Sequence, residues 1–249
     1  MKGTAAALLV LACAQSPAPK SQPAGETAHG LALGEILRRC RAAYASVESY
    51  QDEGEEIETW FTPSGVSHED RGRWSLLYRN PNRLRFEFRA AAEQRPRYVV
   101  WSQGERILAW ITGAGVREFR SWQDAASKAP AGNGGSTGWF PFALVRNKES
   151  SWLENWLGRA QSVSRATVAG EPCYRVQWVN QDPDFTLLLP MPIRQAFYVA
   201  WVSDRDFMLR KVASRTEHGS HYIESRTTYH PRVGHEIERQ RFRFIAGLE

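Results

Sequence analysis

Apolar and polar residues alternate along residues 73–79, apart from Leu77, and along residues 83–89. The alternating apolar members of these two runs are Trp74, Leu76, Tyr78, Leu84, Phe86 and Phe88. A period of two is typical of a β-strand with one face in water and the other on an apolar layer. Asn80, Pro81 and Asn82 are turn residues and separate the two runs. The pattern therefore predicts a β-hairpin with one aromatic, apolar face.

The rest of the chain predicts one helix and further strands of the same kind. Apolar residues recur at helical spacing between Leu33 and Val47, with charged residues on the other side, which predicts an amphipathic helix. The predicted strands are residues 51–61, 73–79, 83–89, 97–102, 106–111, 161–168, 174–179, 196–202, 208–216, 222–229 and 236–245. Pro, Gly and Asn turns between neighbouring strands indicate an antiparallel meander.

A sheet of about eleven antiparallel strands must twist and curl, so the predicted fold is α+β with a curved half-barrel. The N-terminal helix covers the sheet together with a helical lid. The lid is predicted from a segment that is Ala, Gly and Ser rich from residue 124 to 138 and strongly aromatic afterwards. Its aromatic residues are Trp139, Phe142, Trp152 and Trp156. A cavity remains if the lid covers only the mouth of the curl.

Composition restricts the chain to one sizeable core. It has 249 residues, of which 42% are hydrophobic, with ten Trp and eleven Phe. The net charge is +5 and the pI is near 9.3, but the arginines are spread singly along alternating strands. A nucleic-acid binder more often clusters basic and aromatic residues on one element, so nucleic acid is not an expected partner.

The N-terminus has the pattern of an export signal. An apolar run from Ala5 to Leu11 is too short to span a bilayer. Val10, Leu11, Ala12 and Cys13 resemble the lipobox of bacterial lipoproteins, in which the cysteine is acylated; the alternative is an ordinary cleaved signal. We therefore predict a signal peptide at residues 1–12, a disordered tether at 13–30 and the folded domain at 31–249.

Sequence motifs for catalysis, cofactors or metals are lacking. There is no Gly-x-Ser-x-Gly, phosphate-binding glycine loop or Cys-x-x-Cys, so we expect neither an enzyme nor a cofactor. His218 and His221 point to opposite faces of a strand, which disfavours a metal site. Cys40 and Cys173 are either a disulfide or two buried thiols. The charged residues Glu56, Glu58, Arg85 and Glu87 are expected to form cross-strand pairs on the solvated face.

The hairpin and its surroundings resemble the LolA/LolB family of bacterial lipoprotein carriers. The residues that carry the resemblance are Gly72 to Trp74, Arg79 to Glu87, Tyr98 to Trp101, Gln103, Gly104, Ile107 to Trp110, Phe140 to Leu144, Ser151, Trp152, Tyr229 to Pro231 and Ile237 to Phe244. It covers residues 31–244, and its motifs are mostly structural. The resemblance implies a half-barrel with a helical lid over an apolar cavity that holds acyl chains.

The expected function follows from this resemblance together with the one-sided sheet. It is a lipid-anchored periplasmic protein that binds acyl chains, palmitate among them, of lipoproteins or lipids as a carrier or acceptor. The expected cavity wall is Trp74, Leu76, Tyr78, Leu84, Phe86, Phe88, Trp101 and Trp110. Ala14 after the cysteine implies the outer membrane. The alternative is an envelope sensor or protein-interaction module on the same scaffold.

A further apolar stretch departs from the family pattern. It contains Leu187, Leu188, Leu189 and Met191 together with two prolines, Pro190 and Pro192. Either this loop touches a membrane or guards the cavity mouth, or it packs on the core.

Overall fold

The computed structural model of the chain describes residues 31–103, 105–121, 124–125, 141, 160–180 and 195–244. A single α-helix, α1 (Leu33–Ala45), precedes the sheet in this part of the chain. The strands are β1 (Ser49–Thr62), β2 (Gly65–Arg79), β3 (Arg83–Ala90), β4 (Tyr98–Gln103), β5 (Arg106–Ile111), β6 (Gly115–Phe119), β7 (Ala160–Val168), β8 (Glu171–Asn180), β9 (Gln195–Ser203), β10 (Leu209–His218), β11 (His221–Thr228) and β12 (Arg232–Val233).

All strands belong to one antiparallel sheet with the order β6-β5-β4-β3-β2-β1-β11-β10-β9-β8-β7, and β12 pairs with β1. The order consists of two meanders, β1 to β6 and β7 to β11, which join where β1 pairs with β11. The prediction of a single antiparallel sheet of about eleven strands with an N-terminal helix is confirmed. The helical lid lies outside the described residues.

The hairpin predicted at residues 73–89 is confirmed. Strand β2 pairs with β3 so that Trp74 lies opposite Phe88, and Leu76 lies opposite Phe86. The Asn80–Pro81 peptide bond in the turn is cis. Gly72 is needed on β2, because a Cβ there would come within 2.3 Å of the Phe88 ring. A residue without a side chain thus lets this ring lie across the strand.

Strand β1 changes partner along its length. Its first residues pair with β12, as Tyr50 does with Val233, and its second half pairs with β11 from Glu56 onward. Gly54 lies between these two regions, and a Cβ on it would meet the carbonyl oxygen of Thr228 at 1.8 Å. The close approach of the two backbones therefore requires glycine at this position.

Three strand predictions need correction. Residues 236–245 were expected to form a closing strand, but residues 239–242 form a 3-10 helix. Ile237 and Phe242 pack in one outer cluster and Phe244 packs in another, so the segment does not present one apolar strand face. Strand β6 was missed, since four of its five residues are exposed. Strand β2 begins at Gly65 rather than at residue 73, because backbone pairing with β1 extends through a polar, exposed stretch.

One face of the sheet packs with helix α1 around the main core, and we call this face of the sheet the inner face. Helix α1 contributes Ile36, Cys40 and Tyr44, which are 0%, 3% and 0% exposed. The opposite, outer face carries two small apolar clusters that the C-terminal residues complete. The functional question is therefore what the inner face does apart from holding the helix.

Candidate ligand-binding site

The inner face of β2, β3 and β4 carries a continuous layer of aromatic rings. Residues directly opposite in an antiparallel pair project to the same face, so the alternation of the hairpin places these rings together. We call the five residues Trp74, Phe86, Phe88, Tyr98 and Tyr229 the aromatic wall. The ring centroids of Trp74 and Tyr229 are 5.3 Å apart, and those of Phe88 and Tyr98 are 5.6 Å apart. Six of the eight predicted wall residues thus lie in one buried cluster, all but Trp101 and Trp110.

Helix α1 seals one end of the inner face, which we call the helix-covered end and define by Tyr44, Tyr50, Asp52 and Leu209. The backbone N–H of Leu209 donates to the Tyr44 hydroxyl at 3.0 Å, and the Tyr50 hydroxyl donates to Asp52 Oδ2 at 2.5 Å. Asp52 Oδ1 accepts the backbone N–H of His230 at 2.6 Å. Each of these buried polar groups has a partner, which is the usual condition of a structural core.

Burial dominates the electrostatics of Asp52. It raises the pKa of the carboxyl to about 7, although the hydrogen bonds from Tyr50 and from the His230 backbone favour the ionised form. The carboxyl lies between β1 and the segment after β11, at the joint between the two meanders.

The other end of the inner face is acidic, and this corrects the expectation for two residues. Glu56 and Glu58 were expected on the solvated face, but they are 1% and 8% exposed and share a face with Trp74. Trp60 Nε1 donates to Glu58 Oε1 at 2.7 Å, and Ser225 Oγ donates to Glu56 Oε1 at 3.3 Å. Burial raises the pKa of Glu58, and the hydrogen bond from Trp60 opposes that shift.

Arg85 and Glu87 lie on the outer face, but they correct the expectation of cross-strand pairs on a solvated face, because both belong to β3 and Glu87 is only 8% exposed. Arg85 Nη2 donates to Glu87 Oε2 at 2.8 Å, and the pair lies on the face opposite the aromatic wall. Arg85 also holds the C-terminal segment, since its Nη1 donates to the carbonyl oxygen of Arg243 at 2.9 Å.

A polar atom without a partner lies within the aromatic wall. Trp74 is 2% exposed, and its Nε1 is buried with no hydrogen-bond partner among the described residues. A buried donor left unsatisfied costs about 1–3 kcal/mol, and tryptophan N–H groups usually find an acceptor. An acceptor that reached this donor would remove that cost.

Trp101 and Trp110 lie on the outer face, away from the other six predicted wall residues. Trp101 pairs across the strands with Arg85, whereas its neighbour Val100 pairs with Phe86 on the inner face. The ring of Phe244 is 4.9 Å from that of Trp101 and 5.7 Å from that of Trp110. The pairing register between β3 and β4 separates Trp101 from the wall, and the register between β4 and β5 separates Trp110 from it.

Several predicted residues lie outside the described residues. They are Cys13 of the anchor, the lid residues Trp139, Phe142, Trp152 and Trp156, and the loop residues Leu187, Leu188, Leu189 and Met191. The same holds for the signal peptide and the tether.

The two cysteines of the domain are buried free thiols, which decides between the two alternatives left by the sequence. Burial raises the pKa of Cys40 to about 12. Within the described ranges, no group of three His, Cys, Asp or Glu side chains is arranged to hold a metal ion. No helix of the described part is long and apolar enough to cross a membrane.

Comparison with known proteins gives matches among solved structures alone. No protein-family model and no curated protein matches the chain. The lipoprotein LppX from Mycobacterium tuberculosis is 11% identical, with 83% of this chain and 97% of that chain covered and a TM-score of 0.44. LprF from Mycobacterium bovis is 10% identical, with 83% and 94% covered and a TM-score of 0.42.

A LolA superfamily protein from Nitrosomonas europaea is also similar. It is 10% identical, with 86% of this chain and 99% of that chain covered and a TM-score of 0.38. At such identities and TM-scores these matches say nothing about ligand or role, which must follow from the chain's own residues.

Proposed function

We propose that the protein is a lipid-anchored component of the bacterial cell envelope that binds acyl chains of lipoproteins or lipids against the aromatic wall, as carrier or acceptor and without catalysis. The observation that carries the proposal is the buried Trp74 Nε1, which has no acceptor among the described residues and lies in a wall of packed aromatic rings.

The wall suits the hydrocarbon part of such a ligand. Its rings are flat, wide and adjacent, so they present a continuous apolar surface on one side of three neighbouring strands. Transfer of a sixteen-carbon chain from water is worth about 12 kcal/mol, an upper limit before the ordering of ligand and protein is subtracted. Affinity in a useful range therefore does not require polar contacts.

One polar contact nevertheless supports the acyl class. An acyl chain ends in a carbonyl or carboxylate oxygen, which can accept the hydrogen bond that Trp74 Nε1 lacks. A neutral hydrogen bond contributes about 0.5–1.5 kcal/mol net, and it also removes the cost of the unsatisfied donor. The indole would thus fix the head of the chain while the rings hold its hydrocarbon part.

Entry requires a movable cover, because the wall residues are buried. We assign that role to the lid that carries Trp139, Phe142, Trp152 and Trp156. A hinged lid would weaken the grip on the ligand when cargo is released. The loop with Leu187 to Leu189 and Met191 is proposed as the mouth or a membrane contact.

The binding proposal is tested with the full-length protein and a matched pair of variants. Lipids that co-purify are identified by mass spectrometry, and a fluorescent fatty acid is titrated into delipidated protein. Trp74→Phe should weaken the affinity about 2- to 10-fold, since one hydrogen bond is lost. Trp110→Phe makes the same change on the outer face and should leave the affinity unchanged.

Two results would contradict the proposal. A protein that carries no lipid and fails to bind the fatty acid favours the sensor or interaction module instead. If the two Trp→Phe changes alter the fatty-acid affinity equally, the aromatic wall is not the binding surface.

The anchor is tested separately. Cys13→Ala should release the protein from the membrane fraction, because acylation at this residue supplies the attachment. If fractionation finds the variant still in the membrane, the prediction of acylation at Cys13 is wrong.

A further inference from the structure

A cationic groove lies on the outer face of the sheet, at the end where the turn joins β2 to β3. Its volume is about 700 Å³, and its walls are the turn at Pro81 and Asn82, the end of β4 and the C-terminal segment 239–244. Arg83, Arg239 and Arg243 line it, together with the aromatic residues Trp101, Phe242 and Phe244. We call this site the arginine groove.

The C-terminal segment is fixed in place, so the groove is a built feature rather than a loose end. Arg85 Nη1 donates to the carbonyl oxygen of Arg243 at 2.9 Å, and the Arg85 guanidinium lies 5.7 Å from the Phe244 ring centroid. Phe242 is 5% exposed and packs with Leu77 and Ile237 in an outer cluster. These contacts present Arg239 and Arg243 on the same side as Arg83.

The three lining arginines lack acidic partners. Across the described part of the chain, no carboxylate forms an ion pair with Arg83, Arg239 or Arg243. Elsewhere on the surface such pairs are common, as between Arg106 and Glu118 at 2.7 Å. The single acidic residue that lines the groove is the exposed Glu105, so the lining carries three positive charges against one negative charge.

We propose that the arginine groove binds the phosphate of an anionic lipid headgroup at a bilayer surface. Guanidinium groups match phosphate oxygens with two parallel hydrogen bonds, and each cation near an anionic bilayer adds to the attraction. The floor of the groove is apolar, because Trp101, Phe242 and Phe244 line it, although each is less than 10% exposed. An apolar floor beside three cations favours an amphiphile over a free phosphate.

The site is independent of acyl binding on the inner face. Trp101 and Phe244 lie on the side of the sheet away from Trp74, so a headgroup in the groove does not compete with a chain at the aromatic wall. Docking through this groove would lay the outer face at the turn end of β2 and β3 on the membrane.

The test compares vesicle binding of three forms of the full-length chain, all carrying Cys13→Ala so that no acyl anchor contributes. The first has no other change, and the second carries Arg83→Gln, Arg239→Gln and Arg243→Gln. The third is the matched control with Arg95→Gln, Arg117→Gln and Arg205→Gln, three exposed arginines away from the groove. Each form is mixed with phosphatidylglycerol-containing vesicles and with pure phosphatidylcholine vesicles, and co-sedimentation is measured.

The groove variant should bind anionic vesicles about 100-fold more weakly than the parent at low salt, whereas the control triple should lose at most a few-fold. Binding by the parent should fall with added salt, and glycerol phosphate should compete weakly. Fatty-acid affinity and thermal stability should be the same in all three forms, which separates this site from the acyl site.

Four outcomes would overturn the proposal. The first two are equal losses in both triple variants and equal binding of the parent to neutral and anionic vesicles. The third is full displacement of the parent from vesicles by millimolar glycerol phosphate, which would assign the groove to a soluble phosphate. The fourth is binding of a single-stranded oligonucleotide that the groove variant alone loses, without vesicle binding.

Discussion

The helix-covered end and the aromatic wall lie on the same face of the same sheet, but they differ in how they treat polar atoms. At the helix-covered end, Tyr44, Tyr50 and Asp52 all have hydrogen-bond partners inside the protein. In the aromatic wall, Trp74 Nε1 is equally buried and has no acceptor among the described residues. In the first region these polar groups are paired within the protein, whereas in the second the Trp74 donor has no partner among the described residues.

This difference separates stability from function along a single strand. Leu76 faces Asp52 across β1 and β2, and Trp74, two residues earlier on the same face, faces Gly54. Two residues along a strand span about 7 Å, so the change from structural core to candidate site is abrupt. Substitutions on the two sides of that boundary should affect different observables.

The largest effect should come from the helix. Ile36→Ala removes a side chain that is fully buried against the sheet, so it should lower the free energy of unfolding by about 2–5 kcal/mol. Urea denaturation measures this loss. Leu33→Ala, at a half-buried position on the same helix, should cost less.

Fatty-acid affinity of the folded Ile36→Ala protein should stay within about twofold of the parent. A large loss of affinity in a variant that is still folded would show that the helix-covered end takes part in binding, and the comparison would fail.

A smaller effect should appear as a dependence on pH. Burial raises the pKa of Asp52 from 3.8 to about 7, so between these values the native state holds a proton that the unfolded chain has released. The free energy of unfolding from this group should therefore decrease as the pH rises from about 4 to 7, and level off above. The slope is on the order of 1 kcal/mol per pH unit.

Asp52→Asn should remove this slope, because the amide does not titrate and its oxygen can still accept the backbone N–H groups that Asp52 accepts. Urea denaturation at several pH values measures it. If parent and variant show the same dependence between pH 4 and 7, Asp52 is not the group that responds.

Much of the fold follows from local alternation in the sequence. The aromatic hairpin, its turn and most strands were predicted because each strand has one apolar face that the sheet must bury. Strand β6 and the start of β2 were missed because their residues are mostly exposed and polar. Backbone pairing with a neighbouring strand determines such segments, and it leaves no apolar period to detect.

The errors in the candidate site have a different cause. Trp101 and Trp110 are aromatic residues on aromatic strands, but their positions place them opposite Arg85 and Val99 rather than beside Phe86. Glu58 is charged and yet shares the inner face with Trp74. Residue type alone suggested the wrong face in each case, whereas the register between strands decides it. Register is a long-range property, which one sequence does not reveal.

The central claim is that Trp74 Nε1 meets the carbonyl oxygen of a bound acyl chain. The measurement that tests it most directly is a cycle of four dissociation constants, for an acyl ester and the matching ether, each with the parent protein and with Trp74→Phe. The parent should prefer the ester about 5- to 10-fold, as expected for a coupling of about 1 kcal/mol, and Trp74→Phe should bind both ligands alike. An equal preference for the ester in both proteins would contradict the assignment.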